Sequence, residues 1–161
     1  MPGMVRRFLL RLVLEEAMRR EERAYRFYES ASKAVRQPES AELLKKLCAE
    51  ELRHRLKLEE LQRKGELEPA GQVEVEVGEA QAGLLAEPGP EWPPSPAKLE
   101  PVDIWAIALR KEQRARDYYR VLSVRAPLAA FREVFAYLSS EEQRHVDWVR
   151  AALEAAGGTE E

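Results

Sequence analysis

Six side chains with metal-binding chemistry recur at one spacing. Glu21 is followed thirty residues on by Glu51 and then by His54, and Glu112 is followed at the same intervals by Glu142 and His145. A constant offset of 91 residues relates 21 to 112, 51 to 142 and 54 to 145. The two histidines are the only ones in the chain. On a helix, Glu-x-x-His sets both side chains on one face, ~5–6 Å apart at Cβ. Four carboxylates and two imidazoles in this pattern make a ligand set for two metal ions. The charges also close: four glutamates carry −4, two divalent cations carry +4, and neutral imidazoles add nothing. Mixed carboxylate and imidazole donors suit iron or manganese better than structural zinc, which favours sulfur.

Such a set has to be held by rigid elements, and four segments show the helical period. The first carries Val5, Phe8, Leu9, Leu12, Val13, Ala17, Ala24, Phe27, Tyr28 and Ala31. It is expected to end near Val35, because Pro38 disfavours helical backbone at Gln37. The second, capped by Glu39 or Ser40, carries Leu43, Leu44, Leu47, Cys48, Leu58 and Leu61 and stops near Gly65. The third starts near Pro101 or Asp103 and runs through Trp105, Leu109, Tyr119 and Leu122. Pro127 marks the next break and suits the first turn of the fourth helix. That helix carries Phe131, Val134, Phe135, Leu138, Val146, Val149, Ala152 and Leu153.

The six candidate ligands fill gaps in these apolar stripes. Glu51 and His54 lie between Leu47 and Leu58, and Glu142 and His145 between Leu138 and Val149. Glu21 lies between Ala17 and Tyr28, and Glu112 between Leu109 and Tyr119. All six are therefore expected to point inward. Buried carboxylates without partners are very costly, and four together repel one another. A metal pair removes that cost.

The offset of 91 extends beyond the ligands, to Ala24 and Ala115, Tyr28 and Tyr119, Leu47 and Leu138, Glu50 and Glu141, and Arg53 and Arg144. Two helical hairpins of one design are expected, residues 4–64 and 101–156, within a single domain spanning 1–161. Residues 65–100 differ in composition, with six prolines, and read as a long crossover between helices 2 and 3. Val73, Val75 and Val77 alternate with polar residues there and permit a short extended piece. The connection lets helices 2 and 3 run parallel, giving an all-α four-helix bundle.

Composition narrows the classes. The 161 residues are 34 % charged and 45 % hydrophobic, which suits a bundle with a solvated outer surface. A net charge of −3 argues against nucleic acid as the main partner. No apolar run approaches the ~20 residues of a membrane span, and Arg11, Glu15 and Glu16 spoil the resemblance of residues 8–14 to a signal core. A cytoplasmic protein without a membrane partner is expected. Cys48 is the only cysteine, so no disulfide forms within the chain and no Cys-x-x-Cys iron centre exists.

Glu21-x-x-Ala24-x-x-Phe27-Tyr28 with Glu50-Glu51-x-x-His54 resembles the first half of the rubrerythrin-related, ferritin-like di-iron proteins. Glu112-x-x-Ala115-x-x-Tyr118-Tyr119 with Glu141-Glu142-x-x-His145 resembles the second. The resemblance covers roughly residues 8–64 and 101–155. It implies a ferritin-like bundle holding two Fe ions, with Mn or a mixed Fe/Mn pair as alternatives. Glu21 and Glu112 would be terminal ligands, Glu51 and Glu142 would bridge, and His54 and His145 would each complete one iron. Tyr28 and Tyr119 would hydrogen-bond the carboxylates. Two departures are visible. Ala115 stands where rubrerythrins proper carry a further glutamate, and the cysteine pairs of a rubredoxin-like iron domain do not occur among the 161 residues. Leu52 stands where bacterioferritin would supply a haem-ligating methionine, and no fifth helix is expected after the fourth.

The implied function is redox chemistry: reduction of hydrogen peroxide or dioxygen at the metal pair, in defence against oxidative stress. No catalytic residue beyond the ligands is expected. Electrons would come from an external donor, rubredoxin-like or a flavoprotein, and the exposed apolar residues of helix 1 suit a homodimer. The alternatives are a ferroxidase or iron-handling protein, a non-catalytic metal-binding bundle, and a hydroxylase acting on an organic substrate. Cys48, one turn before Glu51, is read as a small apolar filler, with a thiol that reacts with peroxide as the alternative.

Overall fold

The computed structural model describes residues 4–66, 72–85 and 93–160. In chain order it contains β1 (Val5–Leu9), α1 (Leu10–Ala34), α2 (Pro38–Glu66), β2 (Glu74–Gly78), α3 (Glu79–Ala82), α4 (Pro101–Arg125) and α5 (Ala129–Ala155). Short 3-10 turns at Gly83–Leu85 and Pro96–Lys98 complete the described crossover. Helices α1 and α2 pack as one hairpin, and α4 and α5 as another. The result is a ferritin-like four-helix bundle.

Proline sets several helix boundaries. Val35 is already extended, and Pro38 then opens α2 as its first residue, where its fixed φ costs nothing. Glu39 and Ser40 therefore lie inside the helix and do not cap it. Pro101 opens α4 in the same way behind an extended Glu100. Pro127 does not enter α5. It lies in the connection, and α5 starts at Ala129, after an extended Leu128. At the far end Gly157 takes φ +83°, its N–H bonds Glu154 O at 3.0 Å, and the Gly158 N–H bonds Leu153 O at 2.9 Å. This is a Schellman close, which requires the left-handed residue that glycine supplies.

The first helix is shorter at its start than the sequence pattern implies. Residues 5–9 form β1 and pair antiparallel with β2, with Phe8 opposite Val75 and Val5 opposite Gly78. Their apolar spacing continues that of α1, but Val75 and Val77 of β2 are fully buried and need a partner strand. The Leu10 N–H also bonds Val73 O at 2.8 Å, clamping the start of α1 to the crossover. The first hairpin thus begins at residue 10 and not at residue 4. Residues 67–71 and 86–92 of the expected crossover lie outside the described residues.

The apolar core comes in two parts. One gathers Leu10, Leu14, Leu58, Val75, Leu122 and Phe135, among others, at the ribbon end of the bundle. The other gathers Phe27, Leu44, Leu47, Trp105, Val146 and Val149 at the opposite end. Between them α1, α2, α4 and α5 each contribute buried polar side chains. Among the described residues no helix is long and apolar enough to cross a membrane.

Candidate metal centre

The belt between the two apolar parts holds all six sequence-derived candidates. Glu21 comes from α1, Glu51 and His54 from α2, Glu112 from α4, and Glu142 and His145 from α5, and none is more than 2 % exposed. The two imidazoles lie nearly parallel, 5.2 Å apart between centroids and 13° between planes.

The carboxylates are shared out between the two rings with near two-fold symmetry. His54 Nδ1 lies 3.4 Å from Glu51 Oε2, 3.2 Å from Glu142 Oε1 and 3.6 Å from Glu21 Oε2. His145 Nδ1 lies 3.2 Å from Glu51 Oε1, 3.0 Å from Glu142 Oε2 and 3.6 Å from Glu112 Oε2. Glu51 and Glu142 thus each offer one oxygen to each histidine. Glu21 serves only the His54 half, and Glu112 only the His145 half.

The remaining oxygens of Glu21 and Glu112 are held by tyrosines of the opposite hairpin. Tyr28 on α1 donates its hydroxyl to Glu112 Oε1, and Tyr119 on α4 donates to Glu21 Oε1. Each terminal glutamate therefore has one oxygen fixed and one turned toward a histidine. Burial, with the nearby glutamates adding, holds both tyrosine hydroxyls well above their ordinary range, so they remain donors.

The electrostatics divide the carboxylates into two kinds. Burial first, and then the charge on Glu51, hold Glu21 well above the carboxylate range. The same causes, with Glu142, lift Glu112 to about 8. Burial also pushes Glu51 and Glu142 upward, but a hydrogen bond with Glu21 and then the close histidines outweigh it at Glu51, and the histidines outweigh it at Glu142. Glu51 falls well below its ordinary value and Glu142 to about 2. Both histidines are raised, because the carboxylates outweigh the burial that would lower them. Without metal the charged form is thus favoured on Glu51, Glu142 and both histidines, and the protonated form on Glu21 and Glu112.

Hydrogen bonding leaves this belt incomplete. Glu51 Oε1, both oxygens of Glu142 and all four ring nitrogens of His54 and His145 are buried without an aligned hydrogen bond. Orphaned buried polar atoms in such a number are costly, and their donor types are those of a metal site. Glu51, His54, Glu142 and His145 present ligand atoms all within 4.8 Å of one another. The residues present therefore fit a metal-binding cluster. A cavity of about 20 Å³, room for a water-sized molecule, adjoins it between α1 and α4, lined by Glu21, Ala24, Glu51, Glu112 and Ala115 among others.

Three features escape sequence reasoning. Arg20, Lys111 and Arg114 also line that cavity, and the offset of 91, which maps 20 onto 111 and 23 onto 114, carried the signal. Trp148 stacks on His145 at 5.4 Å, and nothing local in the sequence marks it. Leu52 and Leu56 on α2 are exposed as well as Leu9 and Leu12. Cys48 is half-buried, with Sγ 3.6 Å from Tyr25 O, and burial pushes its thiol up, away from the reactive thiolate.

A family model described as rubrerythrin matches residues 10–92 and 103–161. Searches of curated proteins and of solved structures find no match.

Proposed function

The chain belongs to the rubrerythrin family, and from that membership and the geometry of the belt we propose that it is a cytoplasmic di-iron oxidoreductase that reduces hydrogen peroxide. The observation that carries this reading is the sharing of Glu51 and Glu142, each with one oxygen toward each histidine. Such a carboxylate suits two ions rather than one. Glu21 and His54 would hold one iron, Glu112 and His145 the other, and Glu51 and Glu142 both. When bound, two irons supply two electrons, which with two protons take one hydrogen peroxide to two waters.

The protein's own residues position and exclude. Tyr28 and Tyr119 fix the outer oxygens of Glu112 and Glu21, so the inner oxygens stay directed at the histidines. The two apolar core parts seal the belt at either end and keep bulk water out. The small cavity beside Ala24 and Ala115, with room for a water-sized molecule, is where a small reactant would approach the belt. An external one-electron donor protein, rubredoxin-like or a flavoprotein, restores the reduced state.

The test is anaerobic loading with Fe²⁺, then rapid mixing with hydrogen peroxide or dioxygen. Two irons per chain, oxidised much faster by peroxide, are the expected result. Faster reaction with dioxygen, with continued consumption of added iron, would make the protein a ferroxidase instead. Glu51→Gln and Glu142→Gln should each lose the second iron and the peroxide reaction.

A further inference from the structure

The two halves of the centre are alike in their ligands and unlike in what stands behind them. Under the offset of 91, Glu50 maps onto Glu141 and Arg53 onto Arg144, but Lys57 maps onto Trp148. Beside His54, a ring nitrogen and the carboxylates of Glu50 and Glu141 come within 4.8 Å of one another. Glu50 is buried, and Arg144 ties the two acids together, 2.5 Å from Glu141 and 3.7 Å from Glu50. Arg53 also pairs with Glu50. Behind His145 stands the indole of Trp148, stacked at 29°. Two cations lie over that indole, Lys46 Nζ at 4.0 Å and the Arg144 guanidinium at 5.1 Å.

The break in symmetry has a structural origin. Lys46 sits over Trp148, and Lys57 sits over Tyr137 at 4.5 Å. The repeat exchanges these pairs, yet in both the lysine is on α2 and the aromatic on α5. Only the α5 histidine therefore gains an indole.

Both differences favour the same half. Glu50 and Glu141 stand close to His54 without an aligned hydrogen bond to it, and carboxylates that take up the free N–H of a ligating imidazole are worth ~10–100-fold in metal affinity. The indole face gives no comparable acceptor, and Lys46 beyond it repels an incoming cation. We propose that the two metal positions are inequivalent. The first divalent ion settles at Glu21 and His54, and the second, at Glu112 and His145, binds about tenfold more weakly or worse and exchanges first. Glu50 and Glu141 are positioning residues for the first ion. This inference rests on the di-metal reading above.

Two ions that share Glu51 and Glu142 repel each other, so two binding steps alone would not decide the matter. The experiment is a titration of the metal-free full chain with Co²⁺, followed by calorimetry and by proton NMR of the cobalt-shifted imidazole N–H signals. With Nδ1 toward the carboxylates, each histidine keeps an outward Nε2–H to report. One shifted N–H signal at one equivalent and a second at two are expected. The Glu50→Gln/Glu141→Gln double variant should move the first signal and weaken the first step about tenfold or more, leaving the second signal in place. Trp148→Leu should move only the second signal. Two N–H signals of equal intensity at one equivalent would overturn the inference, as would equal shifts of both in the Gln variant. Failure to bind two Co²⁺ per chain is a separate result, and overturns the di-metal reading itself.

Discussion

Glu21 and Glu112 use their two oxygens differently, one toward a tyrosine and one toward a histidine, and this division leads to two measurable consequences. The first concerns protons. The raised values of Glu21, Glu112 and both histidines favour a proton on each in the absence of metal. A metal pair needs carboxylates and neutral imidazoles, so loading at neutral pH should expel about four protons per chain. Protons and metal compete, so apparent affinity rises with pH. Above the value of about 8 for Glu112 that residue is already ionised, and the count should fall toward three. Calorimetric titration with Mn²⁺ in buffers of different ionisation heat reads the number. Release of about one proton or none would mean that the belt is ionised before metal arrives. The second consequence concerns the hydroxyls. Tyr28→Phe leaves a buried Glu112 oxygen without its donor and should cost about 1–3 kcal/mol in the metal-free protein, read as a lower Tm. Tyr119→Phe should cost the same, because the repeat relates the two bonds. That these six side chains gather in one buried belt was legible from spacing alone. Which glutamate faces which histidine was not, because that depends on how the helices cross.

At the scale of elements, the helices were legible and the ribbon only in part. The run Val5-Arg6-Arg7-Phe8-Leu9 continues the apolar spacing of α1, so local pattern favours helix. Its partner lies some seventy residues away, in the crossover, and that pairing decides the structure. The alternation around Val75 showed that an extended piece was permitted, but not where its hydrogen bonds would go. The burial is one-sided: Val75 is fully buried in the core with Leu10 and Leu122, whereas Val5 is 55 % exposed. Val75→Ala should therefore destabilise by about 2 kcal/mol, and Val5→Ala by no more than ~0.5 kcal/mol. Denaturant unfolding of both variants separates this ribbon from an α1 that extends to residue 4. Equal costs at the two positions would argue against the ribbon as described.

At the scale of the whole molecule, the bundle encloses a polar belt between two apolar parts, and on the proposed metal-binding reading that choice trades stability for metal. The metal-free belt buries charged groups and is poorly hydrogen-bonded, so it stabilises the fold weakly. Ions that bind only the folded chain add RT ln(1 + [L]/Kd), about 2.7 kcal/mol at a hundredfold excess over Kd. A chelator should lower Tm and Mn²⁺ should restore it. Substitution can separate the belt's cost from its use. Glu142→Leu alone leaves His54 and His145 charged with one fewer carboxylate and should destabilise the metal-free protein by about 3–5 kcal/mol. Replacing Glu51, His54, Glu142 and His145 together by leucine removes the charges in balanced pairs, and joins the two apolar parts. That fourfold variant should be as stable as the metal-free parent or more so, by up to about 4 kcal/mol, and its Tm should no longer respond to Mn²⁺. If it unfolds below the metal-free parent, the buried charges contribute to the fold itself, and the belt is not there for metal alone.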